Sequence, residues 1–223
     1  MAARSTVTLY FDVVSPYTYV GWNLLKRQRP HWKSVDVAFK PVLLGGIMNA
    51  TKNTPNTAVP AKGQYMWYEI DLLSKLGKFP YVKPPQFPFK TLQAMRVLVA
   101  VQQNDSEKLE ACADKVIIPN ACWGQGKDVA NPDVIIEQLA PVFGGSKEKV
   151  QQLLDLTAQQ SIKQGLIDNT DEAVKKGAFG GPFWVVRKAG SDKDHILFGS
   201  DRLETIAALL GESYQTVASP AKL

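Results

Sequence analysis

Cysteine and histidine are scarce in this chain, with two of each among 223 residues. Cys112 and Cys122 supply neither a disulfide framework nor a thiolate cluster, and His31 and His195 are too few for a multi-histidine centre, so no metal site is expected. Both histidines read as structural, one following Pro30 at a helix end and one in a strand pattern. Cys112 falls on the apolar stripe Leu109-Cys112-Ala113-Val116 and reads as a small buried hydrophobe. Cys122 lies in a loop-like stretch, NACWGQG, and is an open candidate for a reactive thiol, although nothing beside it argues for a lowered pKa. This usage suits a reducing interior. No apolar run approaches the roughly 20 residues that cross a bilayer. The first strand pattern begins so early that no signal peptide is expected. A compact basic run is missing too. Lys and Arg number 26 against 21 Asp and Glu, spread along the chain without interleaved aromatics, so no nucleic-acid partner is expected. The net charge of +5 is compatible with a cleft that attracts small anions.

What is present starts with FDVVSPYTYVGWNLL, residues 11–25. An apolar run from Val7 to Val14 reads as a buried strand that breaks at Ser15-Pro16, where an amphipathic helix pattern begins. Tyr17, Val20, Gly21, Leu24 and Gln28 share one face, and Pro30 marks the end. Val35, Val37 and Phe39 then alternate with polar or small residues as a strand does, which predicts a right-handed parallel βαβ unit. Gly45 to Pro60 reads as loop. A long stretch of helical periodicity follows, marked by Met66-Ile70-Leu73, Leu92-Met95-Val99, the Cys112 stripe, a helix opened by Asn131-Pro132, and Val150-Leu153-Leu154. Thr170-Asp171-Glu172 reads as a new helix start, closed at Lys175-Lys176-Gly177. The proline-rich segment 79–89, with its embedded Phe and Tyr, reads as a packed connection rather than a ligand for a proline-reading module. Phe183 to Arg187 and His195 to Phe198 form a hairpin, and Asp201 with Glu204 opens a last helix. The expectation is one α/β domain assembled from residues 1–60 and 175–223, split by an all-helical insertion over 61–174.

Three segments converge in that layout. Ser15-Pro16 is a favoured cap and first helical residue, which explains both without chemistry. A hydroxyl not spent on capping can also donate to an anion held at the helix N-terminus. In GAFGGPF, residues 177–183, Gly180-Gly181-Pro182 precedes a strand, and Pro182 is a candidate cis proline in a tight turn. Gly199-Ser200-Asp201-Arg202 runs from a strand end into a helix start, where free N–H groups suit a carboxylate. A redox protein with this layout would carry Cys-x-x-Cys at the first turn; this chain has a serine there. It has no G-x-S-x-G elbow either, so a hydrolase serine is not expected.

Together SPYTYVG, GGIMNATKN, AKGQYMWYE, GAFGGPFWV and LFGSDRLE resemble the kappa-class glutathione transferases over about residues 5 to 212. The resemblance implies a thioredoxin-like domain split by a helical insertion, related to 2-hydroxychromene-2-carboxylate isomerases and bacterial disulfide oxidoreductases. It implies that Ser15 addresses the glutathione sulfur, with Pro16 and Tyr17 beside it. Asn53 would contact the glycine end, Gly181 would pair its backbone with the cysteinyl moiety, and Ser200 and Asp201 would hold the γ-glutamyl end. Glutathione is then a co-substrate, and no cofactor is implied. Implied activities are conjugation to small apolar electrophiles or reduction of lipid hydroperoxides, with a glutathione-dependent cis-trans isomerase or a non-catalytic binding protein as alternatives. Tyr65, Met66, Trp67 and Tyr68 are candidates for the electrophile side of the cleft, or for simple core packing. One position departs from the family, which often has a bulkier apolar residue at Gly181. Members are dimeric and found in mitochondria or peroxisomes. The ending Ala221-Lys222-Leu223 resembles a peroxisomal address, which predicts an import receptor as a partner, with the mitochondrion as the alternative location.

Overall fold

The structure is a computed structural model that describes residues 3–117 and 122–216. Strand β1 (Ser5–Phe11) leads through helix α1 (Pro16–Gln28) to β2 (Val35–Pro41), which lies parallel to β1 with Val7 opposite Val37. After the helical region, β3 (Phe183–Arg187) returns antiparallel to β1, and β4 (Asp194–Phe198) pairs antiparallel with β3. The order across the sheet is β2-β1-β3-β4. The βαβ, helical insertion, ββα layout expected from the sequence is thus observed.

The interior strands are mostly apolar, with Thr6 and Arg187 exposed at one end, because both faces of the sheet are covered. Val7, Leu9 and Phe11 face Trp22, Trp184 and Val186 in the main core, while Tyr10 turns to the other side against Phe183, Val185, Ile47 and Ala173. The Tyr10 hydroxyl donates to Glu172 at 2.7 Å, and Lys40 pairs with the same carboxylate.

The helices of the central region are α3 (Pro60–Gly77), α4 (Leu92–Asn104), α5 (Leu109–Ile117), α6 (Cys122–Gln125), α7 (Pro132–Leu139), α8 (Lys147–Leu156) and α9 (Gln160–Lys175), preceded by α2 (Leu44–Thr51) and followed by α10 (Leu203–Leu210). The main core runs without a break from β1 and α1 into α4, α5, α7 and α8. The proline-rich segment is a packed connection. Phe79 is buried, and Phe87 and Phe89 bring their rings to 6.2 and 5.6 Å from that of the fully buried Trp123.

Four local expectations are corrected. The first strand stops at Phe11, not Val14, because Asp12 turns the chain. The region read as loop from Gly45 holds helix α2: its N-terminal Leu44 N–H donates to Asp12 Oδ2 at 2.9 Å, and a β-carbon on Gly46 would stand 3.2 Å from Thr170. Gly46, a poor helix former alone, lets it pack closely on α9, and tertiary contact overrides propensity. Thr170 is not a helix start but an interior residue of α9; its hydroxyl donates to the Leu166 carbonyl at 2.7 Å and accepts the Leu43 N–H at 3.0 Å. Asp201 does not cap α10. Ser200–Arg202 forms a short 3-10 turn with no side-chain cap, and α10 begins after it.

Candidate active site

Register brings the three segments together. Phe183 pairs with both Tyr10 and Phe198, so the turn after β1, the Gly181-Pro182 approach to β3 and the Gly199-Ser200 exit from β4 share one end of the sheet. Helix α1 closes over them at Gly21. A β-carbon there would stand 3.3 Å from Trp184 Cζ2, 3.4 Å from Pro182 Cγ and 3.4 Å from Ser200 Cα. Trp184 Nε1 donates to the Gly199 carbonyl at 2.9 Å, and the Gly199 N–H donates to the Pro182 carbonyl at 3.1 Å. The Gly181–Pro182 bond is cis, as read from the sequence; Phe87–Pro88 is cis as well.

Ser15 is the N-cap of α1, with Pro16 buried at the first helical position. Its Oγ accepts the Thr18 N–H at 3.1 Å and donates to the Gly181 carbonyl at 3.1 Å. The hydroxyl is therefore spent on capping, one of the two roles the sequence left open for it, and on Gly181. At 4% exposure it sits at the floor of the site, not on its rim.

Tyr17 is half-buried, and its hydroxyl donates to Glu69 Oε2 at 2.6 Å, while Tyr65 donates to Oε1 at 3.2 Å. Burial and the Glu69 carboxylate push the Tyr17 phenol well above its usual range, so it stays a neutral donor tying α1 to α3. Asn53, just beyond α2, donates from Nδ2 to the Phe179 carbonyl at 2.7 Å and so stitches that helix to the GAFGGPF segment. Ser200 is buried, while Asp201 is exposed and its carboxylate lies 3.2 Å from Arg202. Gly199 has φ of 108°, and a β-carbon there would press on Asp201 Oδ1 at 2.6 Å. All seven residues carried over from the resemblance lie on the three segments or, for Asn53, on the loop bonded to one of them.

An open cleft of ≈ 410 Å³ lined by Tyr17, Asn56, Ala61, Lys62 and Tyr65 adjoins Tyr17. A slightly larger hollow of ≈ 440 Å³, between the proline-rich loop and the Cys122–Ala130 stretch, contains none of these residues. Convergent polar groups, not volume, mark the site. Of the four aromatic-side candidates, Tyr65 and Tyr68 are exposed, Trp67 is half-buried against Phe87, and Met66 belongs to the core. Cys122 is not a reactive loop thiol. It is buried, with its sulfur 3.4 Å from the Val116 carbonyl, and burial pushes its pKa up; Cys112 is pushed up to about 12 by the same cause.

Asp12 was missed in the sequence. It is buried, accepts the Val14 N–H at 3.0 Å and the Leu44 N–H at 2.9 Å, and is bonded by the Thr91 side chain. Burial raises its carboxyl pKa against the pull of these donors. One carboxylate thus shapes the turn that presents Ser15 and anchors the helix facing Gly181. The legible signal was an Asp two residues before a turn position, an Asx-turn pattern.

Residues 6–211 match the DSBA-like thioredoxin domain family. The chain is 35% identical to Homo sapiens glutathione S-transferase kappa 1 over 221 residues, 97% of this chain and 95% of that protein. It is 28% identical to Caenorhabditis elegans glutathione s-transferase kappa 2 over 222 residues, 96% of each. A solved 2-hydroxychromene-2-carboxylate isomerase superposes with a TM-score of 0.71 at 18% identity, over 92% of this chain and 94% of its own. The cytosolic disulfide reductase DsbM from Pseudomonas aeruginosa, solved with GSH, gives 0.63 at 15% identity, over 92% and 96%. These structures speak for the fold, an α/β thioredoxin-like sheet carrying a helical insertion; the near-full-length identity speaks for the class. The chain belongs to the DSBA-like thioredoxin domain family and, within it, to the kappa-class glutathione S-transferases.

Proposed function

We propose that this transferase holds glutathione across the three convergent segments and uses Ser15 to keep its sulfur ionised for attack on small apolar electrophiles. The observation that carries the reading is the junction at Gly21, where the Ser15 helix comes so close to Pro182 and Ser200 that a single β-carbon would touch both. In the proposed arrangement Gly181 offers its backbone to the cysteinyl unit. Ser200 and Asp201 take the γ-glutamyl end, and Asn53 takes the glycine end, with Pro16 and Tyr17 beside the sulfur. The sulfur comes from the tripeptide, which is why the protein's own thiols can be buried.

A free thiol of this kind has a pKa of about 8.5, and only the thiolate attacks well. A hydrogen bond to a charged acceptor contributes roughly 1.5–3 kcal/mol. At about 1.36 kcal/mol per pK unit, one Ser15 donor lowers the thiol pKa by about one to two units. The α1 N-terminus adds somewhat less. Together they make the thiolate the major form near neutral pH, with its proton released to solvent and no histidine required. Electrophiles approach from the side of Tyr17 and Tyr65, and the same thiolate suits reduction of lipid hydroperoxides. We infer in addition a homodimer, a division into the 1–60 plus 175–223 unit and the 61–174 insertion, and peroxisomal delivery through Ala221-Lys222-Leu223, which lies outside the described residues.

The test is ultraviolet titration of bound glutathione together with turnover of a chloronitrobenzene electrophile. Ser15→Ala should raise the thiol pKa by about one to two units and cut turnover at neutral pH roughly five- to tenfold, because the wild-type thiolate is already the major form. Because alanine also removes the cap, Ser15→Gly serves as the control, since glycine at this position costs the helix only a few tenths of a kcal/mol. Unchanged turnover in both variants would remove Ser15 from the mechanism. No turnover in the wild type would leave a glutathione-binding protein.

A further inference from the structure

Gly199 joins β4 to the turn that carries Ser200 and Asp201, and it has no side chain to steady it. Its φ of 108° and ψ of 158° lie where glycine goes readily and other residues do not. Local preference therefore does not hold this backbone; two bonds from the Pro182–Trp184 stretch do. The Gly199 N–H donates to the Pro182 carbonyl at 3.1 Å, and Trp184 Nε1 donates to the Gly199 carbonyl at 2.9 Å. The indole is itself well anchored. Trp184 is fully buried, is paired with Leu9 on one side and Leu197 on the other, and its Cζ2 would lie 3.3 Å from a β-carbon on Gly21. The Gly199 carbonyl and the Ser200 N–H belong to one planar trans peptide and point in opposite directions. By fixing the carbonyl, the indole fixes where the Ser200 N–H points. Ser200 opens its 3-10 turn, so its N–H has no acceptor inside that turn.

We propose that Trp184 is a positioning residue that aims the Ser200 backbone N–H at the γ-glutamyl carboxylate of glutathione. This rests on the reading above that Ser200 and Asp201 take that end of the tripeptide, and it adds the group that holds them in place. Fully buried, Trp184 itself touches no ligand atom, and no proton is transferred. Without the indole N–H, the part-buried Gly199 carbonyl turns toward water to recover a donor. The Ser200 N–H turns with it, and glutathione loses part of its hold at the end remote from the sulfur.

The test is steady-state kinetics of Trp184→Phe together with ultraviolet titration of its bound glutathione. An aromatic ring stays and the donor goes. KM for glutathione should rise about three- to tenfold, which is what one weakened hydrogen bond is worth. The thiol pKa at saturating glutathione should keep its wild-type value, because Ser15 and the sulfur lie at the other end of the ligand. The change therefore falls on KM and not on kcat. Phenylalanine also leaves space beside Gly21, so a second variant carries benzothienylalanine at position 184, which keeps both rings and lacks only the N–H. It should reproduce the rise in KM. A wild-type KM in this variant overturns the proposal, because the loss in Trp184→Phe would then come from packing. A shifted thiol pKa in it overturns the proposal too, because the whole junction would have slackened. Should Trp184→Phe fail to fold, the isosteric variant decides alone. Asp201→Asn separates this inference from the reading beneath it. If Asp201→Asn leaves KM for glutathione unmoved, the γ-glutamyl assignment falls; if it raises KM and the isosteric variant does not, this inference alone falls.

Discussion

Two glycine-to-alanine replacements on opposite walls of the site should change stability in opposite directions. At Gly21 the new β-carbon meets Trp184 at 3.3 Å, Pro182 at 3.4 Å and the Ser200 backbone at 3.4 Å. Trp184 is fully buried and Ser200 contributes main chain, so neither neighbour yields cheaply. Overpacking of this kind costs about 1–3 kcal/mol, and alanine in a helix returns about 1 kcal/mol, leaving a net loss of about 0–2 kcal/mol. At Gly181 the new carbon meets Leu44 at 3.5 Å and Thr18 Oγ1 at 3.7 Å, ordinary contacts, and its φ lies outside the left-handed region. Gly181→Ala should therefore gain about 0.4–1 kcal/mol by restricting the unfolded chain. For a chain of this size each kcal/mol moves Tm by about 2–4 °C, so the two variants should melt about 1–12 °C apart, Gly21→Ala lower. Thermal unfolding followed by circular dichroism measures this. Steady-state kinetics should show a raised KM for glutathione in Gly21→Ala, because Pro182 and Ser200 are pushed away from α1, and little change in Gly181→Ala. A Gly21→Ala protein with wild-type Tm and wild-type KM would refute the claim that close approach at Gly21 assembles the site. A Gly181→Ala protein destabilised by more than about 1 kcal/mol would refute the reading of that wall as open.

Asp12→Ala strands three donors, the part-buried Val14 N–H, the buried Leu44 N–H and the Thr91 side chain. At about 1–3 kcal/mol each, less the relief of desolvating the carboxylate, the loss should be about 3–5 kcal/mol in denaturant unfolding. A variant as stable as wild type would show that Asp12 is not the anchor of the turn. Cys112 and Cys122 should resist a thiol reagent in the native protein and react only on unfolding, because burial raises both thiols; rapid labelling under native conditions would contradict this. Acid should weaken the β4 side of the sheet. Hydrogen bonds from Arg187 and Lys176 hold Asp194 at about 2, below the usual 3.8. Lys40 and Tyr10 likewise hold Glu172 below its usual value, against a burial that raises it. Carboxylates with depressed folded pKa values contribute stability that is present above their unfolded values and lost as pH falls through the folded ones. Melting temperature should therefore drop between about pH 4 and pH 2. Asp194→Asn should flatten part of that drop; an unchanged acid profile would count against the pairings.

Local pattern was enough for every strand and most helices. The runs at β1 and β3 are mostly apolar because both sheet faces are covered, and Asn131-Pro132 starts α7 with its own side chain accepting the Asp133 N–H. Ser15, Gly181 and Ser200 were legible because caps, prolines and glycines carry their backbone consequences in a few residues. What sequence could not supply were features owned by two distant segments at once. Helix α2 exists because Gly46 fits against Thr170 and Leu44 N–H finds Asp12, and neither partner is near it in the chain. The hydroxyl of Ser15 is committed because a carbonyl 166 residues away accepts it, and that of Thr18 is idle because nothing among the described residues does. Helix ends and turns are set by short-range sterics and hydrogen bonds, so residues write them locally. Whether a buried donor has an acceptor depends on which segments the sheet register brings side by side, and that only the folded chain decides.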